Sequence, residues 1–127
     1  MAKVGGDRRR GELVWDARVL SEIVGDDLDV QRRLLEIFLA SVQVKVADIC
    51  AAVQVGDLEV AASAAHSAKS AARTVGAWDL GALCESLQMA GRANNGPLCN
   101  ALAPKVENAF VLVAAAIRRE LEAPQKV

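Results

Sequence analysis

The sequence predicts an all-α protein: an antiparallel up-down-up-down four-helix bundle with a short extra helix at its N-terminal end. Three observations carry this expectation. Apolar residues recur at three- and four-residue steps along four long segments, and no segment alternates convincingly enough for a strand. The segments are joined by short turn signals, which makes sequence neighbours antiparallel partners. The hydrophobic fraction is 53%, yet aromatics are only 3% and tyrosine is absent. A core of small and branched aliphatics suits closely packed helices better than a β-sandwich.

Each element has its own signals. Residues 1–12 hold glycines and an arginine run without apolar periodicity, and read as a flexible arm. Asp16 can cap a short helix reaching about Val24, with Val19, Leu20 and Ile23 as its apolar side. After Gly25-Asp26-Asp27, a long helix is expected from about Leu28 to Val55. Leu34, Leu35, Phe38, Val42, Val46, Ile49 and Val53 form its buried stripe. Gly56 ends that helix and Asp57 caps the next, which runs to about Val75 and stops at Gly76. Its inward positions are Leu58, Ala61, Ala65, Ala68, Ala72 and Val75, mostly alanine, so close approach to its neighbours is expected. A further helix spans about Ala77 to Ala93, with Leu80, Leu83, Cys84 and Leu87 inward. Asn94-Asn95-Gly96-Pro97 reads as a turn. The last helix is expected from about Leu98 to Leu121, kinked near Pro104. The bundle thus occupies residues 13–122, and 123–127 form a tail.

Composition excludes several classes. With 127 residues, one domain can bury a core without disulfides or metal. A net charge of −1 argues against a dedicated nucleic-acid binder. Cys50, Cys84 and Cys99, odd in number and irregular in spacing, make no disulfide framework, and a reduced, cytoplasmic setting is the simpler expectation. The basic start has no apolar stretch behind it to make a secretory signal. No uncharged apolar run is long enough for a membrane span. The cysteines and the single histidine lack metal-ligand spacing, so no metal site is expected. No glycine-rich phosphate loop is present, so the chain should not use ATP itself.

The chemistry centres on that histidine. Helical spacing puts His66 opposite the alanine stripe, on an outward face with Ser63, Lys69, Ser70 and Arg73. Imidazole, with an ordinary pKa of about 6.5, offers a neutral nucleophilic nitrogen near pH 7. A phosphoryl group arriving there would meet two cations. The small residues at 63 and 70 leave room for another protein.

These spacings resemble the signature of histidine-containing phosphotransfer (HPt) domains. That pattern is a histidine, a lysine three residues on, a small residue four on, a glycine ten on, and leucines along the next helix. His66, Lys69, Ser70, Gly76, Leu80, Leu83 and Leu87 stand in those places. Leu34-Leu35-Glu36-Ile37-Phe38-Leu39 and the Gly56-Asp57-Leu58 turn also read like the family, so the resemblance covers roughly residues 16–121. There are departures. Ser70 replaces the usual glycine, Gln88 stands where glutamate is common, and Ala68 replaces a common leucine. Ser70 adds a hydroxymethyl group that either slows docking or hydrogen-bonds the phosphoryl oxygens.

The resemblance implies a phosphocarrier rather than an enzyme. His66 would accept a phosphoryl group from the aspartyl phosphate of a response-regulator receiver domain, on Nε2 of its ring, and pass it to another receiver. Lys69 would stabilise the phosphoryl charge, with Arg73 as a secondary charge at longer reach. The receiver would bring the Mg²⁺, and the chain would need no cofactor of its own. Implied partners are receiver domains and a hybrid histidine kinase, with no nucleic acid or membrane, and the chain is expected to be a monomer. Val19, Ile23, Leu35, Phe38 and Ser63 are the candidate docking residues, the first four being apolar. Two alternatives stand beside this: a helical-bundle adaptor that binds a receiver or other signalling protein without carrying phosphate, and a histidine-kinase dimerisation domain.

Overall fold

Of the five helices among the described residues, four begin on a side chain that caps them. The structure, a computed structural model, describes residues 14–123; the arm at 1–12 and most of the 123–127 tail lie outside them. Helices α1 (Ala17–Val24), α2 (Leu28–Val55), α3 (Leu58–Thr74), α4 (Trp78–Arg92) and α5 (Gly96–Glu122) follow in order. Asp16, Asp27, Asp57 and Asn95 each accept a hydrogen bond from a backbone N–H of the helix they precede. Such caps are worth about 1 kcal/mol each. Gly56 closes α2 in the left-handed conformation, φ 81°, that glycine adopts without strain.

Helix α5 starts two residues earlier than its pattern suggested. The Asn95 side chain accepts from the Leu98 N–H, which draws Gly96 and Pro97 into the first turn. Proline costs little there, because first-turn N–H groups have no intrahelical partner. The helix then continues without a break across Pro104. Pro104 and Asn100, whose carbonyl loses its partner to the proline, are both exposed, so water can solvate that oxygen.

The long helices form the expected bundle. Sequence neighbours pack on each other, and α5 closes the ring against α2. Helix α1 lies against α2 and α3. Its start is tied down where the Asp16 N–H donates to the Val75 carbonyl at 2.8 Å. The chain is so close at this corner that a Cβ on Gly76 would stand 2.6 Å from Asp16 Cβ. One core runs through the centre, filled by Phe38, Val42 and Ile49 of α2, Leu80 and Leu87 of α4, and Val106, Phe110 and Ile117 of α5. Helix α5 is long and apolar enough to cross a membrane by length and composition. Here its apolar stripe faces this core.

Candidate functional site

Helix α3 turns alanine toward its neighbours: Ala61, Ala65, Ala68 and Ala72 are fully buried. Helix α4 answers with buried glycines. A Cβ on Gly91 would stand 2.7 Å from the Leu58 carbonyl oxygen and 3.0 Å from Ala62 Cβ. With so little side chain between them, the two backbones approach closely. A functional group on one helix can then bond to the other directly.

His66 does so. Its residue is exposed, as its position opposite the alanine stripe implied, but its ring reaches back over the seam to α4. Nδ1 lies 3.3 Å from Nε2 of Gln88. Gln88 is only 4% exposed and is the buried polar residue of the described core. Its Oε1 has no hydrogen-bond partner among the described residues. Which amide atom faces the ring decides the tautomer. With the NH₂ group against Nδ1, the neutral ring carries its proton on the outer nitrogen, Nε2. A half-turn of the amide places Oε1 against Nδ1–H instead and leaves the Nε2 lone pair open to solvent.

The ring borders a cleft of about 640 Å³ between α3 and α4, which Ser63, Glu59 and Arg92 also line. Lys69, one turn beyond His66, is half-buried and makes no ion pair among the described residues. Ser63 and Ser70 are exposed, as their place on the outward face implied. Arg73 is exposed too, but its guanidinium donates to Glu85 of α4 at 3.1 Å rather than standing open.

The proposed docking residues divide. Ile23 is 59% exposed and Val19 half-buried on α1. Leu35 and Phe38, by contrast, are 3% and 5% exposed and belong to the core, so neither offers a docking contact. Both lie on the α2 stripe that recurs at three- and four-residue steps, which the bundle consumes. The large apolar side chains α2 leaves exposed are Leu28, Val30, Ile37, Val44 and Val55, all off that stripe.

Among the described residues no three His, Cys, Asp or Glu side chains gather to hold a metal. Cys84 and Cys99 are buried and Cys50 half-buried, all as free thiols. Burial pushes the Cys84 thiol up to about 11, against a smaller opposing pull from Lys69.

Sequence reading had no means to find two of these features. Gln88 stood out only as a departure at a glutamate position, and Glu85 did not stand out at all. Both matter through the register of α4 against α3.

Comparisons with known proteins agree with the fold. A family profile for the Hpt domain matches residues 33–123. Among solved structures, the chain is similar to histidine-containing phosphotransfer protein B (HptB) from Pseudomonas aeruginosa PAO1, with a TM-score of 0.80 at 26% identity. That match covers 88% of this chain and 97% of the other. No curated protein sequence matches the chain.

Proposed function

The chain belongs to the Hpt domain family, and from that premise we propose that His66 is the residue through which it carries phosphate in a phosphorelay. The observation that carries this reading is the Gln88 amide against Nδ1, with the opposite edge of the ring open to solvent. A buried side chain thus holds an exposed nucleophile from behind.

In the reaction, Nε2 attacks the phosphorus of a receiver's aspartyl phosphate in line. The N–P bond forms as the P–O bond to the aspartate breaks, and the carboxylate leaves with the electron pair. No proton needs to leave Nε2 if Gln88 Oε1 accepts from Nδ1–H, because the lone pair then already sits on Nε2. The same carbonyl stabilises the positive charge that grows on the ring. Phosphoryl transfer passes through a loose transition state that needs positioning and charge neutralisation more than covalent help. Side chains on a helix lean toward its N-terminus, so Lys69 leans toward His66 and toward the incoming oxygens. The receiver brings the Mg²⁺ bound to its own acidic residues. Ser63 and Ser70 keep the approach to the ring low. Ile23 of α1, with Val30, Ile37 and Val44 of α2, is the surface offered to the receiver; transient signalling contacts need not be large. The second half of the relay reverses these steps onto another receiver.

The test is transfer itself. Purified protein is mixed with a panel of phosphorylated receivers and Mg²⁺, beside the His66→Gln variant. An acid-labile, alkali-stable label is expected on the wild type and none on the variant, at equal helicity by circular dichroism. A labelled variant refutes the site. Binding to receivers with no label across the panel favours an adaptor that carries no phosphate.

A further inference from the structure

At the α3–α4 seam, two opposite charges stand level and do not pair. His66 lies against Gln88. Two turns further along, the stem of Arg73 crosses Gly81, where a Cβ would stand 3.7 Å from Arg73 Cγ. Antiparallel helices advance together, so Lys69, three residues after His66, stands level with Glu85, three residues before Gln88. Lys69 is also close enough to α4 to act on the thiol of Cys84, the neighbour of Glu85. Yet Glu85 Oε1 is bonded to Arg73, one turn away, at 3.1 Å. Lys69 has no acidic partner among the described residues. The tilt of helical side chains explains the exchange: Arg73 leans back along α3 toward Lys69, and Glu85 leans along α4 toward Arg73.

We propose that Arg73 is a positioning residue for Lys69: it occupies the Glu85 carboxylate and so keeps the Lys69 ammonium free for the phosphoryl group. The inference rests on the reading of His66 as phosphoacceptor, and it gives Arg73 a role different from direct contact with phosphate. Without Arg73, Glu85 turns to its level neighbour Lys69. The ammonium is then part-neutralised and held away from His66. Both groups of the Arg73–Glu85 pair are about half exposed, so the effect is modest in water.

The experiment is a double-mutant cycle on the rate of phosphoryl acceptance, with Mg²⁺ and the same phosphorylated receiver throughout. Arg73→Ala is expected to slow acceptance about three- to fivefold, the range of a solvent-exposed ion pair. Glu85→Gln should accept at the wild-type rate, and the Arg73→Ala/Glu85→Gln protein should recover it. In a Lys69→Ala background, itself slower, Arg73→Ala should change nothing further. A double variant as slow as Arg73→Ala alone overturns the proposal and makes Arg73 a direct phosphoryl ligand. Unchanged acceptance by Arg73→Ala overturns it as well. A purely structural pair would lower the melting temperature of both single variants and move neither rate. A crystal structure of the Arg73→Ala variant gives a readout independent of transfer. Lys69 Nζ should lie within about 4 Å of the Glu85 carboxylate. A Lys69 that stays apart contradicts the proposal even if the wild type accepts no phosphate, a result that would by itself count only against His66.

Discussion

The α3–α4 pair and the α2–α5 pair are both antiparallel halves of one bundle, built from opposite materials. Helices α2 and α5 bury Leu35, Phe38, Val42, Ile49, Val106, Phe110 and Ile117. Helices α3 and α4 bury five alanines on one side and Gly81, Ala90 and Gly91 on the other, with only a few large residues such as Leu80 and Leu87. Large side chains bury area, at about 25 cal/mol per Å², and so carry stability. Small ones bury little, but they bring backbones together. The first pair keeps the fold; the second sets the distance between a histidine and a glutamine. The buried polar group of the core, Gln88, sits on the tight pair.

Variants on the two pairs should therefore separate stability from transfer. The largest effect is expected from Ile49→Ala, at a fully buried position of α2. Losing the side chain and leaving a cavity should cost about 2–5 kcal/mol in denaturant unfolding. Phosphoryl acceptance per folded molecule should stay near wild type. A parallel loss of acceptance would mean the two pairs are not separable.

Gln88→Leu should show the reverse. The change removes a buried amide of which only one end has a partner among the described residues, so stability should hold or rise. Acceptance should fall about tenfold, equivalent to one lost hydrogen bond of about 1.4 kcal/mol. An unimpaired rate would take Gln88 out of the site.

The smallest effect at neutral pH concerns Cys84, which lies in the tight seam. Its native thiol is pushed up to about 11 from an ordinary 9.0 by burial. Above pH 9 the unfolded chain loses this proton first, so the native state binds more protons and stability falls as pH rises from about 9 through 11. Below pH 9 the contribution is fully present. At pH 8 the thiol should resist iodoacetamide in the native protein and react once unfolded. Rapid native alkylation would show that the seam opens.

Much of this was legible in the sequence, for reasons confined to single helices. Asp16 and Asp57 announce helix starts, Gly56 announces a stop, and the alanine spacing announces a close contact. The exposure of His66 comes from the same spacing. The features that stayed hidden depend on two segments at once. The stripe already marked Leu35 and Phe38 as buried, but only the packed bundle shows that the core takes both so fully that neither is left for docking. Gln88 meets His66, and Glu85 meets Arg73 outside the reacting group, because α4 runs antiparallel to α3 in one register, and a shift of a residue would turn both away. Asn95 looked like a turn residue and is a cap, because a capping asparagine and a turn asparagine differ only in the backbone path of the next three residues.

The most direct test of the central claim is the identity of the phosphorylated atom. Protein labelled with ¹⁵N in histidine, phosphorylated by a receiver and read by ¹⁵N and ³¹P NMR, should show phosphorus on Nε2 of His66, with Nδ1 still facing Gln88. Phosphorus on Nδ1, or on the hydroxyl of Ser63 or Ser70, would contradict the account.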